Sequence, residues 1–280
     1  MKTVLETILE DVREAVGADK LRRPPSDIRR MVADAPPVRD FHGALAASFG
    51  LIAEIKERSP SVGPMRAENL REAASAYAES PVVRAVSVLT NERHFGMNIG
   101  RLATIRKQVP QPVLRKDFIV EEYQVREARA FGADAVLLMA NVLDSARLSG
   151  FLDLARELGM EVLFEVHTSG EIATLPAGVR IVGINSRKFQ SATGFVGAGG
   201  ASSKDFSLDP AVFGLVDELP APALKVAESG ICPSTLDGVR EKFQAALVGT
   251  SLLRDPRGLR ACLREFEEAA GRFPRGFSEA

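Results

Sequence analysis

The stretch ADAVLLMANVLDSARLSGFLDLARELGMEVLFEV, residues 133–166, reads as strand, helix, strand. Ala133–Met139 and Met160–Val166 are short apolar runs of strand length, while Asp144–Leu158 carries its apolar residues at helical spacing. Two such runs joined by a helix are parallel strands with a crossover connection. Outward from this unit the rhythm repeats, with further runs at Leu51 (LIAEIK), Val83 (VRAVSVL), Pro112 (PVLRK), Val179 (VRIVGIN), Ala223 (ALKVAES) and Ala245 (AALVG). Helical patterns occupy 67–79, 99–109, 121–131, 233–243 and 256–270. Eight strand–helix units are what a closed barrel needs, whereas an open doubly wound sheet usually has fewer strands. The glycine-rich fingerprints GxGxxG and GxxxxGK[ST] are absent. The expected fold class is therefore α/β, a (β/α)8 TIM barrel, in one domain spanning 1–280.

Residues 1–49 precede the rhythm and read as an N-terminal helical extension. Val4, Leu5, Ile8, Leu9 and Val12 form an apolar stripe that predicts a helix over 3–16. Ser26 is the expected cap of a second helix, stopped by the prolines at 36 and 37. After Ile184 a Gly/Ser/Ala-rich stretch, 191–204, predicts a long mobile loop at one mouth of the barrel, followed by a helix over 211–218. Residues 272–280 are expected to form a flexible tail.

Composition narrows the function. With 36 Lys+Arg against 37 Asp+Glu there is no bulk basic field, so no nucleic-acid partner is expected. Cys232 and Cys262 are the two cysteines, and His42, His94 and His167 lack metal-ligand spacing, so neither a disulfide scaffold nor a metal site is expected. The charged, helical start lacks the pattern of a secretory signal, and no window approaches the ~18 apolar residues of a membrane span. No membrane association and a cytoplasmic location are the default expectations.

A parallel barrel strand is buried on both faces, so a charge within it must be paired or functional. Alternation places Ile52, Glu54 and Lys56 on one face, Leu114 with Lys116, and Leu163 with Glu165. Asn185 ends the sixth run with Arg187 just beyond it, and Glu228 ends the seventh above Val226. If these faces point inward, Glu54, Lys56, Lys116, Glu165, Asn185 and Glu228 converge on one mouth. For any one of them a structural ion pair is as good a reading; together, charges at the ends of five strands match a barrel's active face and would be costly in a mere core. Ser229-Gly230 after the seventh strand and Gly249-Thr250-Ser251 after the eighth, with a one-turn helix expected at Leu252–Arg254, occupy the usual positions of a phosphate cradle. His167 is expected to be a positioning or solvent-facing residue, Tyr77 and Tyr123 outer-layer packing, and Cys232 a small hydrophobe.

In order and spacing, IAEIKERSPSVGP, SVLTN with Phe95-Gly96, PVLRKDFI, EVLFEVHT, GINSR, VAESGI and ALVGTSLLR resemble indole-3-glycerol phosphate synthase, a tryptophan-pathway family on a (β/α)8 barrel with an extra N-terminal helical segment. The resemblance covers roughly residues 4–265 apart from the segment near 189–207. It implies closure, decarboxylation and dehydration of 1-(2-carboxyphenylamino)-1-deoxyribulose 5-phosphate to indole-3-glycerol phosphate, CO2 and water, with no cofactor and no metal. By the same resemblance Lys116 is the general acid of ring closure, and Glu165 is the acid/base of dehydration. Lys56 positions the general acid and pairs with substrate, and Glu54, Asn185, Glu228 and Ser229 arrange the site. Arg187 would meet the substrate carboxylate and Phe118 the substrate, while Ser59, Gly230, Gly249 and Thr250 would contact phosphate. The implied partner is a small-molecule phosphosugar–anthranilate substrate; a monomer is expected, with a dimer left open.

The chain departs from the family in Asn185-Ser186-Arg187, where NNR or NDR is usual, in HFGMNIG, where Gly-Ser often follows the phenylalanine, and in a longer segment after strand six. Other readings are a phosphosugar barrel like phosphoribosylanthranilate isomerase, which would rely on a Cys/Asp pair, a Schiff-base aldolase with Lys116 as nucleophile, and a non-catalytic barrel that only binds.

Overall fold

The computed structural model describes residues 3–187 and 207–271; the predicted loop over 191–204 and tail over 272–280 lie outside the described residues. Eight parallel strands close a ring: β1 (Gly50–Ile55), β2 (Val83–Leu89), β3 (Val113–Lys116), β4 (Ala135–Met139), β5 (Glu161–Val166), β6 (Ile181–Asn185), β7 (Leu224–Glu228) and β8 (Ala245–Val248). Each pairs with its neighbours in sequence, and β1 pairs with β8 through Gly50–Ala245 to Ala53–Val248. The expected (β/α)8 barrel is thus the observed architecture.

Side-chain alternation splits the apolar residues into two layers. Ile52, Ala85, Leu114, Leu137, Leu163, Val226 and Leu247 fill the barrel. Their neighbours Leu51, Val86, Val113, Val136, Phe164, Val182 and Ala246 face the surrounding helices. A strand packed on both faces leaves no position where a polar side chain is cheap, except at the strand end, where the interior opens.

The N-terminal extension holds three helices: α1 (Val4–Arg22), α2 (Pro25–Ala33) and α3 (Phe41–Ala46). The first runs six residues beyond the predicted 16, because its stripe continues at Val16, Gly17 is tolerated within it, and no proline occurs before 24 and 25. Ser26 is not the cap of the second: Pro25 occupies the first turn, where its locked φ fits and its missing N–H costs nothing. The third, unforeseen from sequence, starts at Asp40, whose carboxylate accepts the Gly43 N–H at 2.7 Å. The buried stripe of α1 joins the core cluster of the barrel interior.

The outer layer continues with α4 (Ala67–Glu79), α5 (Ile99–Gln108), α6 (Glu122–Ala130), α7 (Ser145–Glu157) and the one-turn α8 (Ser169–Ile172). It ends with α9 (Leu236–Arg240), the one-turn α10 (Thr250–Leu253) and α11 (Leu259–Gly271). Residues Pro210–Glu218 and Pro233–Thr235 are 3-10 rather than α-helical, each opening on a proline. The turn expected at 252–254 begins two residues earlier, at Thr250, directly after Gly249.

Tyr123 lies beneath α1, where its hydroxyl donates to the carbonyl oxygens of Arg23 at 3.0 Å and Asp19 at 3.3 Å. Beside it, Arg23 donates to Glu127 on α6 at 2.9 Å. The extension is therefore fastened by polar contacts as well as by its apolar stripe.

Candidate active site

The strand ends deliver their charges to a single cavity of about 500 Å³ at the C-terminal mouth of the barrel. Every residue that the sequence assigned to catalysis or substrate binding lines it: Glu54, Lys56, Ser59, Lys116, Phe118, Glu165, Asn185, Arg187, Glu228, Ser229, Gly230, Gly249 and Thr250. Apolar side chains that the sequence did not flag complete the wall, among them Ile8 from α1, Phe95, Leu208 and Ile231. Pockets of this kind are mostly apolar with a few convergent polar groups.

Lys116 stands among carboxylates. Its Nζ lies 3.4 Å from Glu165 Oε2 and 3.9 Å from Glu228 Oε2. Burial disfavours the ammonium, but the negative charges of Glu165, Glu228 and Glu54 outweigh it and hold Lys116 above its ordinary pKa. Sequence alone left open whether neighbouring lysines or glutamates dominate; the glutamates do. Lys56 donates to Glu54 at 2.5 Å. For Glu54, burial would raise the pKa, yet Lys56 and Lys116 bring the net shift down.

Glu165 and Glu228 are pushed apart. Burial acts to raise both, but Lys116 and His167 pull Glu165 below the usual carboxylate range. Glu228 is driven well above it, first by burial and then by the charge of Glu165. Neither Oε of Glu228 meets a protein donor, which an ionised buried carboxylate would require. A proton on Glu228 removes that deficit by making it a donor toward Glu165. The two carboxyls are thus driven in opposite directions, Glu165 toward the ionised form and Glu228 toward the protonated one, a division typical of acid–base pairs.

Two glycines make this packing possible. At Gly183, between Val182 and Ile184 on β6, a Cβ would fall 2.0 Å from Glu228 Oε1. A glycine within a strand pattern is the sequence signal of such a close approach. At Gly249 a Cβ would meet Glu54 Oε1 at 2.4 Å. Gly249→Val should therefore displace Glu54 from Lys56 as well as crowd the turn beside it. The expected loss in kcat/KM is on the order of 10- to 100-fold; wild-type kcat/KM would remove Gly249 from the site.

Across the cavity, Ser229 (φ 68°) and Gly230 (φ 72°) form a left-handed turn after β7. A non-glycine residue there is strained, and such strain clusters at functional sites. The Ser186 hydroxyl donates to the Ser229 carbonyl at 3.1 Å, so the residue that departs from the family pattern braces this turn. Ser251 donates to the Ile231 carbonyl and ties the β7 and β8 loops together. Asn185 Oδ1 accepts the Arg187 N–H at 2.9 Å. Cys232 is not the small hydrophobe expected: it is half-buried, with Sγ 3.1 Å from Ser234 Oγ.

Behind this wall lies a polar layer in which Arg115, Asp117 and Thr90 carried no signal in the sequence, whereas His167 was expected to position or to face solvent. On the outward face of β3, Arg115 donates to Asp117 at 3.1 Å and to Glu127 at 3.0 Å, and Asp117 accepts the Thr90 hydroxyl at 2.6 Å. Behind Glu165, His167 Nε2 lies 3.4 Å from Oε1.

A closed parallel barrel with acids and ammonium groups at the C-terminal ends of its strands has the form of a (β/α)8-barrel enzyme. Within that class the chain belongs to the indole-3-glycerol phosphate synthase family, whose sequence model matches residues 5–266. It is 41% identical over 257 residues to an indole-3-glycerol phosphate synthase of Saccharopolyspora erythraea, covering 90% of both chains. With one of Micrococcus luteus it shares 42% identity over 238 residues, 82% of this chain and 83% of the relative. Among solved structures, a 3-keto-L-gulonate-6-phosphate decarboxylase from Vibrio cholerae has a TM-score of 0.57 at 13% identity, covering 81% of this chain and all of that one, a likeness of fold alone.

Proposed function

We propose that this chain carries out its family's reaction in tryptophan biosynthesis, converting 1-(2-carboxyphenylamino)-1-deoxyribulose 5-phosphate to indole-3-glycerol phosphate, CO2 and water, with Lys116 as general acid and Glu165 as acid/base. The supporting observation is the Lys116 ammonium at the pocket floor, held charged between Glu165 and Glu228. Ring closure joins an aromatic carbon to the C2′ carbonyl carbon, and the oxygen gains negative charge as the bond forms. A preorganised ammonium in a water-poor pocket stabilises that charge and supplies the proton. Loss of CO2 then neutralises the cation left at the ring nitrogen. Dehydration removes a proton from C1′ and expels the former carbonyl oxygen as water.

Ionised Glu165 is suited to take the C1′ proton, and protonated Glu228 keeps a second proton within the carboxyl pair. Lys56, held by Glu54, faces the same space and positions Lys116 and the substrate. Arg187 is assigned to the substrate carboxylate, Phe118 to its ring, and Asn185 to the orientation of Arg187 and Glu165. The turns at Ser229-Gly230 and Gly249-Thr250, with Ser59, are assigned to phosphate. Among the described residues, Leu21 and Leu208 are the exposed large apolar side chains, which supports a monomer. No described helix is long and apolar enough to cross a membrane, and a cytoplasmic location belongs to the same proposal.

The test is turnover of the carboxyphenylamino deoxyribulose phosphate by the purified protein, followed by indole fluorescence. Absence of product would overturn the assignment. Glu165→Gln should slow dehydration by 10²- to 10⁴-fold, the usual contribution of one acid–base group. Rapid quench should then reveal a cyclised, decarboxylated intermediate; unchanged turnover would remove Glu165 from this step.

A further inference from the structure

We infer that His167 and Glu171 form a proton relay that passes one proton per turnover from solvent, through Glu165, to the acid groups that protonated the departing oxygen. The inference rests on the reaction proposed above. In that reaction the substrate carboxylate departs as neutral CO2, and the C2′ oxygen departs as water. The oxygen takes up two protons, one from Lys116 and one more, while C1′ returns a single proton. One proton must therefore enter from solvent in each cycle, and it must reach groups that are almost wholly buried.

The geometry provides a route behind the substrate pocket. Glu165 uses its two oxygens in different directions: Oε2 faces Lys116 at 3.4 Å and Oε1 faces His167 Nε2 at 3.4 Å. The other ring nitrogen of His167, Nδ1, lies 3.2 Å from Glu171 Oε2. That oxygen also accepts the His167 backbone N–H at 2.7 Å, fixing carboxylate and imidazole together. Side-chain exposure falls inward along the series, from 18% at Glu171 to 13% at His167 and 1% at Glu165. His167 is not among the residues lining the substrate cavity, so it acts through Glu165 rather than on the substrate. The charged groups facing it are Glu165 from β5, Glu171 from α8 and Lys116 from β3.

Protonation of His167 agrees with this role. Burial and Lys116 disfavour the imidazolium, but the Glu171 hydrogen bond and the charge of Glu165 prevail and the net shift is upward. The imidazolium is therefore favoured beyond the ordinary histidine range and is lost as pH rises through the raised pKa, which places its effect on the alkaline limb of kcat.

The experiment compares wild type with His167→Gln and with Glu171→Gln, whose amide oxygen still accepts the backbone N–H. Steady-state kinetics across pH, in H2O and D2O, are read by indole fluorescence. Both variants should lower kcat on the order of tenfold with KM within about twofold. They should also raise the solvent isotope effect on kcat and shift the alkaline limb, and added imidazole should partly restore His167→Gln. Wild-type kcat, isotope effect and pH limb in both variants would overturn the relay. So would a loss of activity that tracks a lowered melting temperature, with isotope effect and pH limb unmoved. Wild-type turnover alongside unaltered variants would refute the relay alone; an inactive wild type would refute the proposed reaction and the relay with it.

Discussion

Lys116→Ala should reduce turnover of the carboxyphenylamino deoxyribulose phosphate by 10³-fold or more while the protein stays folded. The ammonium combines two effects, a proton at the reacting oxygen and a fixed positive charge, and loss of a single such group commonly removes two to four orders of magnitude. The fold should survive because the side chain opens onto the pocket rather than filling the apolar core. Removing it leaves Glu165, Glu228 and Glu54 facing one another without their shared cation. Their pKa values should then rise, and the pH profile of residual activity should move alkaline. Indole fluorescence measures the loss and circular dichroism the fold. Substantial activity in a folded variant would eliminate Lys116 as the general acid, and with it the main chemical step proposed for this pocket.

Arg115→Met is expected to act in the opposite sense, on stability before activity. Arg115 is 3% exposed and sits between Asp117 and Glu127, with further bonds to the Thr90 hydroxyl at 3.0 Å and the Gln124 carbonyl at 2.8 Å. Removing one partner of a buried ionic network leaves the others uncompensated, at a cost of about 3–5 kcal/mol. Glu127 also holds Arg23, the residue that caps the end of α1, so the variant should loosen the N-terminal extension together with β3. Urea denaturation should show a lower midpoint, and limited proteolysis should cut first within residues 3–49. An unchanged midpoint would mean that the network contributes specificity rather than stability. The double variant Arg115→Met/Glu127→Met tests this directly, since a coupled pair loses less together than the sum of its separate losses.

Much of the candidate site was legible because strand alternation is a local rule. Once 161–166 is a strand and Leu163 fills the barrel, Glu165 must share its direction, as Glu54 and Lys56 must follow Ile52. The helix ends were less legible: Pro25 and Gly249 set boundaries through backbone geometry that Ser26 and Leu252 only approximated. Cys232 was misread because a small sulfur side chain suits apolar packing as readily as a half-exposed turn, and only the neighbouring hydroxyls distinguish the two.

By itself the sequence determined that eight strands alternate with helices, that their charges lie at the C-terminal ends, and that the chain resembles one family along most of its length. All of these are properties of spacing along one chain. Tertiary structure decided the rest: that Glu228 is pushed toward its protonated form and Glu165 toward its ionised one, that Gly183 and Gly249 clear room for carboxylates on neighbouring strands, and that His167 stands behind Glu165. Those facts depend on distances across the closed ring and on exclusion of water from it. Both come into being only when β1 meets β8, and no window of neighbouring residues encodes them.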